Sequence, residues 1–433
     1  MQVKCLLQQY KKSSLGQRFA KGAFWSVLGN GLSRGLSLVA FIFVARIIGK
    51  EQYGELGIIR STINLFVLFA GMGLSNTTSK YIAQYRNTNP QKAYDIYTLS
   101  LFLSVISTLI VVVTLIIFAP SVAANSLKAP YLANTVRVGS VVVLLAALNA
   151  IQSGSLFGFE KFKELAVNNL MGGIVEFVLL IIAGYFWGVE GCIWALGLSR
   201  LCMFVLNRLS INKITKCYNF TTRFRQERSN YAILWKFSLP ALFSSLLTIP
   251  VLWWARTYLI SNSNYGEMAV FDVADQWSAM ILFLPGIIAS ILLPFLSNTL
   301  EEGTKQQYVQ LVRYNIYLNG GISLTLAIIV AAISWLIMKM YGEGFDNPFP
   351  LIIMAVTAVP ISICNVVGQT IASQDKMWQG FLFNLIWAVW VVLFSHLLIQ
   401  MGAVGLALAI FLSYCLHFAA QMVYIHFQLK NNK

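Results

Sequence analysis

Apolar runs of about 20 residues recur along the whole of this chain, and charged residues are almost confined to the stretches between them. A helix of about 20 residues rises roughly 30 Å, the thickness of a bilayer's hydrocarbon core. In that core every backbone N–H and C=O must be satisfied within the segment, so runs of this kind must be helical. Twelve spans are expected, near 22–45, 56–75, 95–118, 136–158, 166–187, 189–209, 237–260, 268–297, 315–338, 349–373, 378–399 and 402–427. The eighth is long enough to tilt or break, and Pro285 and Pro294 can kink it. Only 11% of the 433 residues are charged, where a soluble domain has roughly a quarter, and 58% are hydrophobic. The fold class read from this is an all-α integral membrane protein, multi-pass, with the lipid bilayer as its surroundings.

Lys and Arg set the orientation. With the N-terminus in the cytoplasm, 22 of the 31 fall in cytoplasmic segments and five in outer loops (Arg46, Lys50, Lys128, Arg137 and Lys339), with four inside spans. That bias places both termini in the cytoplasm. It also accounts for the formal charge of +15, so no nucleic-acid partner is expected. There is no cleavable signal-peptide pattern, and the first span is expected to serve as the targeting signal. Cys5, Cys192, Cys202, Cys217, Cys364 and Cys415 are scattered without metal-site spacing, and no structural disulfide is expected.

The longest and most basic connection, 210–236, divides the spans six and six. The expected organisation is an N-terminal six-helix lobe over 1–209, a basic cytoplasmic linker over 210–236 and a C-terminal lobe over 237–433. The halves resemble each other. Gly188, Gly191, Ala195, Leu198 and Ser199 match Gly402, Gly405, Ala409, Leu412 and Ser413 at an offset of 214. Glu160-Lys161 and Asn169-Leu170 align with Asp375-Lys376 and Asn384-Leu385 at an offset of 215. Two repeated bundles with a site between them is a transporter architecture. No loop is large enough to be a catalytic domain, and there is no P-loop, HExxH, dinucleotide fingerprint or GxSxG. His396, His417 and His426 are isolated, so no metal site and no catalytic residue is assigned.

Charges inside spans are costly, by roughly 3 kcal/mol or more each, and mark function or pairing. In the first span Asn30, Ser33, Arg34 and Ser37 fall at helical spacing on one face. Small polar residues suit a helix-packing face, whereas a mid-depth arginine suits a water-filled cavity. Arg60 and Asn64 are four apart in the second span, where Arg60 either lines a cavity or snorkels. Arg200, central in the sixth span, is placed to pair with Glu176 in the fifth. Arg256 lies near the outer end of the seventh span beside Trp253 and Trp254. Asp272, Asp275 and Gln276 share a face of the eighth. Two carboxylates there repel when both ionised, which invites a proton or Na⁺, unless one pairs with Arg256. Ser362, Asn365, Gln369 and Ser373 in the tenth span, and Ser413, His417 and Gln421 in the twelfth, form polar lines. They suit interhelical hydrogen bonds or, for Asn365, Gln369 and His417, contacts to sugar hydroxyls. By half, the intramembrane charges total a formal +2 (Arg34, Arg60, Arg200, Glu176) and −1 (Arg256, Asp272, Asp275), which suggests anion binding in the first half and cation coupling in the second.

Residues 45–54, Ala-Arg-Ile-Ile-Gly-Lys-Glu-Gln-Tyr-Gly, are similar to the A-R-x-L-G-x-x-x-Y-G pattern of polysaccharide flippases. Gly71-Met72-Gly73-Leu74, Lys80-Tyr81-Ile82-Ala83 and the glycine-rich start of the last span at 402–407 resemble later segments of that family. The resemblance, in span count and spacing, covers nearly the whole chain. The family is that of O-antigen and capsule repeat-unit flippases (Wzx), within the superfamily that holds multidrug and toxin extruders and lipid II flippases. It implies two six-helix lobes, a MATE-like V, alternating access, and transfer of undecaprenyl-diphosphate-linked oligosaccharide between leaflets of the bacterial inner membrane. It implies no cofactor beyond a coupling cation, H⁺ or Na⁺, and a polysaccharide polymerase and chain-length regulator as partners. Arg34 and Arg60 are the positions that could fill the family's cationic cavity role, and Arg200, Arg256, Asn30 and Asn64 join them as candidate substrate-cavity residues. Two departures, the lack of extra C-terminal helices and of first-span acidic residues, set the chain apart from lipid II flippases and drug extruders. A drug or organic-cation exporter is the competing transport reading, and a membrane polymerase or glycosyltransferase the competing enzyme.

Overall fold

A computed structural model describes residues 14–218, 247–302, 304–374 and 376–431. Among them every regular element is helical. The helices are α1 (Ser14–Ile48), α2 (Lys50–Gly71), α3 (Leu74–Tyr85), α4 (Pro90–Ser121), α5 (Ala133–Gly158), α6 (Phe162–Tyr218) and α7 (247–262). They continue with α8 (Tyr265–Ile281), α9 (Phe283–Glu302), α10 (Lys305–Ala332), α11 (Ser334–Tyr341), α12 (Phe349–Ser373), α13 (Met377–Leu398) and α14 (Gly402–Asn431).

Among the described residues eight helices are long and apolar enough to cross a membrane, or nine if the bent pair α8–α9 counts as one span. Two of the eight are far longer than a bilayer is thick. The stretch Phe162–Lys216 has 55 residues and Met377–Gln428 has 52, against about 20 for one crossing. Each is interrupted by a glycine in a backbone conformation that L-residues avoid, Gly188 (φ 56°, ψ −138°) and Gly402 (φ 60°, ψ −134°). The 44° bend between α8 and α9 falls where the sequence expects it. The ring of Pro285 clashes with the carbonyl four residues back, that of Ile281, the last residue of α8. The side chain of Pro294 lies outside the described residues.

The chain forms two compact units, Arg18–Trp253 and Trp254 onward. Most of the expected linker, from 219 to 236, and the start of the seventh span, 237–246, lie outside the described residues; 210–218 simply prolong α6. In the N-terminal unit α5 is central, packed against α2, α3, α4 and α6. Glycines let α3 approach it. A methyl group added to Gly154 would sit 2.5 Å from the Ser75 carbonyl oxygen, and one on Gly158 2.8 Å from that of Ser79. The Ser75 hydroxyl fastens the contact by donating to the Ala150 carbonyl at 2.7 Å. In the C-terminal unit α12 takes the same place, packed on α8, α9, α10, α13 and α14.

The two units are built in the same register. Helices start at Lys50 and Tyr265, at Pro90 and Lys305, and at Phe162 and Met377, each pair 215 apart. Their N-caps keep the offset, Asn89 accepting from Lys92 N–H and Thr304 from Gln307 N–H. The glycine breaks are 214 apart and share one backbone conformation. An internal repeat that rested on a few matched residues in the sequence is therefore carried by caps, helix starts and strained glycines.

Candidate functional site

The polar stripe of α1 is a packing face against the first arm of α6. A methyl on Gly29 would lie 2.5 Å from Ala166 Cα, and one on Gly173 2.6 Å from the Ser33 hydroxyl. Asn169 donates to the Asn30 side-chain oxygen at 2.6 Å, and Ser37 donates to Glu176 at 2.5 Å. Asn30, which the sequence grouped with a substrate cavity, is thus engaged between helices. Arg34 stands apart from this. At 100° per residue it lies about 40° past Asn30, away from Ser33 and Gly29. Its side chain is exposed, at the flank of the packed stripe.

The other cations of the N-terminal unit are held differently. The Arg60 guanidinium lies 3.8 Å over the Phe41 ring, a cation–π contact between α2 and α1. Asn64, one turn on, is exposed. Arg200 comes within 3.9 Å of Glu176, the pairing the sequence placed there, and its Nη1 reaches Met203 Sδ at 3.7 Å. The shorter bond to Glu176 is from Ser37, so this carboxylate ties α1 to both arms of α6.

In the C-terminal unit Arg256 bonds Asp275 at 2.6 Å and sits 5.8 Å from the Phe271 ring. Gln276 donates to Asp272 at 2.7 Å, and Asp272 is buried at 6% exposure. Each carboxylate has its own partner, so the two are not a mutually repelling dyad. The repeat adds a further relation. Phe41 and Arg60 stand 215 residues before Arg256 and Asp275. One helix–helix contact therefore carries an arginine over an aromatic ring in the first unit and an arginine–aspartate pair in the second. Arg256→Gln and Asp275→Asn should each cost about 1.5–3 kcal/mol of stability, the worth of a hydrogen bond to a charged group. The exchange Arg256→Asp with Asp275→Arg should recover most of that loss in a detergent melting assay. Equal losses in the double and single variants would show that the pair contributes nothing.

Comparison with known proteins fits this geometry. The family described as polysaccharide biosynthesis protein matches residues 19–300, well over half of the chain. The chain belongs to that family. Among its relatives, the EPS I polysaccharide export inner membrane protein EpsE of Ralstonia solanacearum is 22% identical over 419 residues, covering 90% of both chains. For EpsE of Ralstonia nicotianae the match, 28% identical, spans 44% of this chain and 45% of the relative, less than half its length. The lipid III flippase of Escherichia coli (strain K12) is 23% identical over 92% of this chain and 96% of its own. In fold, an inward-facing multidrug resistance MATE family transporter of the MOP superfamily matches with a TM-score of 0.78 at 17% identity, over 92% of this chain and 94% of that one. This family member is thus a multi-pass membrane protein with a MATE-type fold.

The remaining sequence-assigned positions divide. Asn365 is exposed and Gln369 half-buried on α12. His417 is not placed for a sugar. It is 6% exposed, bonded to Gln421 at 2.8 Å and enclosed edge-on by Phe383 and Tyr414. Its helix packs on α12 and α13, and a buried imidazole there is satisfied by its own i+4 neighbour. One residue escaped the sequence reading. Glu267, in the first turn of α8, accepts the Ala403 N–H at 2.7 Å and so caps the N-terminus of α14. Its counterpart 215 residues earlier, Gln52, stands beside Gly188. The Tyr-Gly-Glu shared by 53–55 and 265–267 points elsewhere, because it is 212 apart and pairs Glu267 with Glu55. Chemically, the N-terminal unit offers guanidinium groups suited to a phosphate oxyanion. The C-terminal unit offers one buried carboxylate and one that is ion-paired.

Proposed function

We propose that this protein is a flippase. It moves an oligosaccharide linked to undecaprenyl diphosphate from the inner to the outer leaflet of a bacterial inner membrane by alternating access, for O-antigen or another surface polysaccharide. In this reading the chain has twelve spans with both termini cytoplasmic. It is a transporter and not an enzyme. The observation that carries the proposal is the charge of the N-terminal unit, where Arg34, Arg60 and Arg200 stand against one mid-span carboxylate, Glu176. A diphosphate of about two negative charges needs such a site, and arginine matches it in shape. Relatives named for polysaccharide export and for lipid III flipping, each alignable over about nine-tenths of this chain, support the substrate class. A drug extruder of organic cations would place its charges the other way.

Coupling to H⁺ or Na⁺ through Asp272, with Asp275 and Gln276 beside it, belongs to the same proposal. So does diphosphate binding by Arg34 and Arg60, with Arg200 and Arg256 in supporting ion pairs. Asn64, Asn365 and Gln369 are the candidate sugar contacts, and a polymerase and chain-length regulator the candidate partners. The test is transfer of a fluorescent polyprenyl-diphosphate oligosaccharide across proteoliposomes that contain only this protein. Transfer above protein-free vesicles, accelerated by an imposed ion gradient, is expected. Ethidium transport without lipid-linked sugar transfer would assign the protein to the drug exporters, and lengthening of the oligosaccharide would assign it to the polymerases.

A further inference from the structure

Buried hydroxyls in membrane helices have a default partner, the carbonyl three or four residues back. Most of those in the N-terminal unit use it. Thr62 donates to the Ile58 carbonyl, Thr77 to Gly73, Thr78 to Leu74, Ser140 to Arg137, Ser155 to Ile151 and Ser199 to Leu196. Three hydroxyls on α4 do not. Ser100, Ser104 and Thr108 are each 0% exposed, and none of their oxygens has a hydrogen-bond partner among the described residues. They stand at i, i+4 and i+8, one line along the inward side of the helix, about 12 Å long at 1.5 Å per residue. On α5, the helix packed against α4, Gln152 is also 0% exposed. Neither its amide nitrogen nor its oxygen has a partner among the described residues. Leu99 and Ile151, the residues before Ser100 and Gln152, belong to one core cluster.

The unit does not tolerate unpaired amides elsewhere. About 60° round α5 from Gln152, at Asn149, the amides are paired: Asn168 donates to Asn207 at 2.9 Å and to Ser210 at 3.1 Å, and Asn207 donates to Asn149 at 3.3 Å. Asn149 in turn donates to the Arg200 carbonyl at 2.7 Å. Against that background, five orphan polar atoms on the α4–α5 seam call for a ligand. Leaving them dry in an apolar medium is costly for each group. The chemistry of the set selects the ligand. A cation would satisfy the hydroxyl and Gln152 carbonyl oxygens but not the Gln152 amide N–H. An anion would satisfy the donors but not the carbonyl oxygen. Water satisfies both, with two to four bonds per molecule.

The repeat puts a related line in the other unit. Asn315, Asn319 and Ser323 on α10 lie 215 residues after Ser100, Ser104 and Thr108 and are likewise buried. There the Asn315 and Asn319 amide nitrogens bond to the Leu311 and Asn315 carbonyls, leaving only the Asn319 carbonyl oxygen and the Ser323 hydroxyl orphaned among the described residues. The N-terminal version is the less self-satisfied.

We infer that the α4–α5 seam of the N-terminal unit is a binding site for a file of two or more internal water molecules held by Ser100, Ser104, Thr108 and Gln152. This inference is independent of what the protein transports. The test is radiolytic hydroxyl-radical labelling of the full chain in lipid nanodiscs, since bound water generates radicals next to the side chains it touches. Leu99 and Ile151, buried at 2% and 0%, should label several-fold faster than Leu115 and Val143, buried at 1% and 0%. Equal labelling of the four would overturn the site, and the wild-type protein alone decides this. Gln152→Leu should abolish the excess labelling and lower the melting temperature, by about 2–4 °C for each hydrogen-bond equivalent lost. A dry seam predicts the opposite sign, because removing an unpaired buried amide then raises the melting temperature.

Discussion

Arg34→Ala is expected to slow lipid-linked oligosaccharide transfer severely while the protein accumulates in the membrane at its normal level. Arg34 lies beside the face by which α1 packs on α6, so trimming it leaves the Asn169–Asn30 and Ser37–Glu176 bonds of that face in place. A guanidinium–phosphate hydrogen bond contributes about 1.5–3 kcal/mol. Its loss slows transfer roughly 10- to 100-fold in an initial-rate assay. Arg34→Lys keeps the charge but not the planar fork and should recover only part of the rate. Asn30→Ala and Ser37→Ala are the controls. Both residues bond across the α1–α6 packing face, to Asn169 and Glu176, so their loss should lower the melting temperature more than the transfer rate. A normal rate in Arg34→Ala would remove this residue from the diphosphate site and leave Arg60 as the candidate.

Gly402→Ala is expected to destabilise the chain strongly. The backbone at Gly402 has φ 60°, and a methyl group there would lie 2.5 Å from the Glu267 carboxylate oxygen. That carboxylate caps α14 through the Ala403 N–H. Strain of about 1–3 kcal/mol in the backbone adds to about 1.5–3 kcal/mol for the displaced charged hydrogen bond. The melting temperature should fall by roughly 10 °C. Gly188→Ala isolates the first term. Its backbone is the same, but the nearest atom to the added methyl, Gln52 Oε1, is 3.4 Å away, so the loss should be about half as large. With Glu267→Ala in place, Gly402→Ala should cost no more than Gly188→Ala. Equal losses in the two single variants would show that Glu267 yields without cost.

Much of this was legible in the residues, and the limits have a physical cause. Apolar run length fixes helical spans because lipid offers the backbone no partner. The Arg200–Glu176 approach, the Asp275 pairing with Arg256 and the break ahead of Pro285 were all among the options open from the sequence, because helical spacing and proline sterics are local. Reading Asn30, Ser33, Arg34 and Ser37 as one surface failed at its edge. A helical face is about a third of a turn wide, and the packed part ends before Arg34. His417 was misjudged for the same kind of reason. A polar line looks identical in sequence whether it meets a cavity or Phe383 and Tyr414.

What the sequence by itself determined is an all-helical membrane chain built twice at an offset near 215, with its excess positive charge in the first copy. Those properties follow from composition, period and order along the chain. Only the tertiary structure decided which polar groups meet. It seated Arg60 on Phe41 where the second copy has Asp275 and Arg256, and it set Glu267 on the start of α14. It also left Gln152 and three α4 hydroxyls facing a seam with no partner among the described residues. The reason is that a residue's neighbours across a helix pair depend on where small residues such as Gly29, Gly154 and Gly173 let two backbones approach, and that distance is not written in either helix alone.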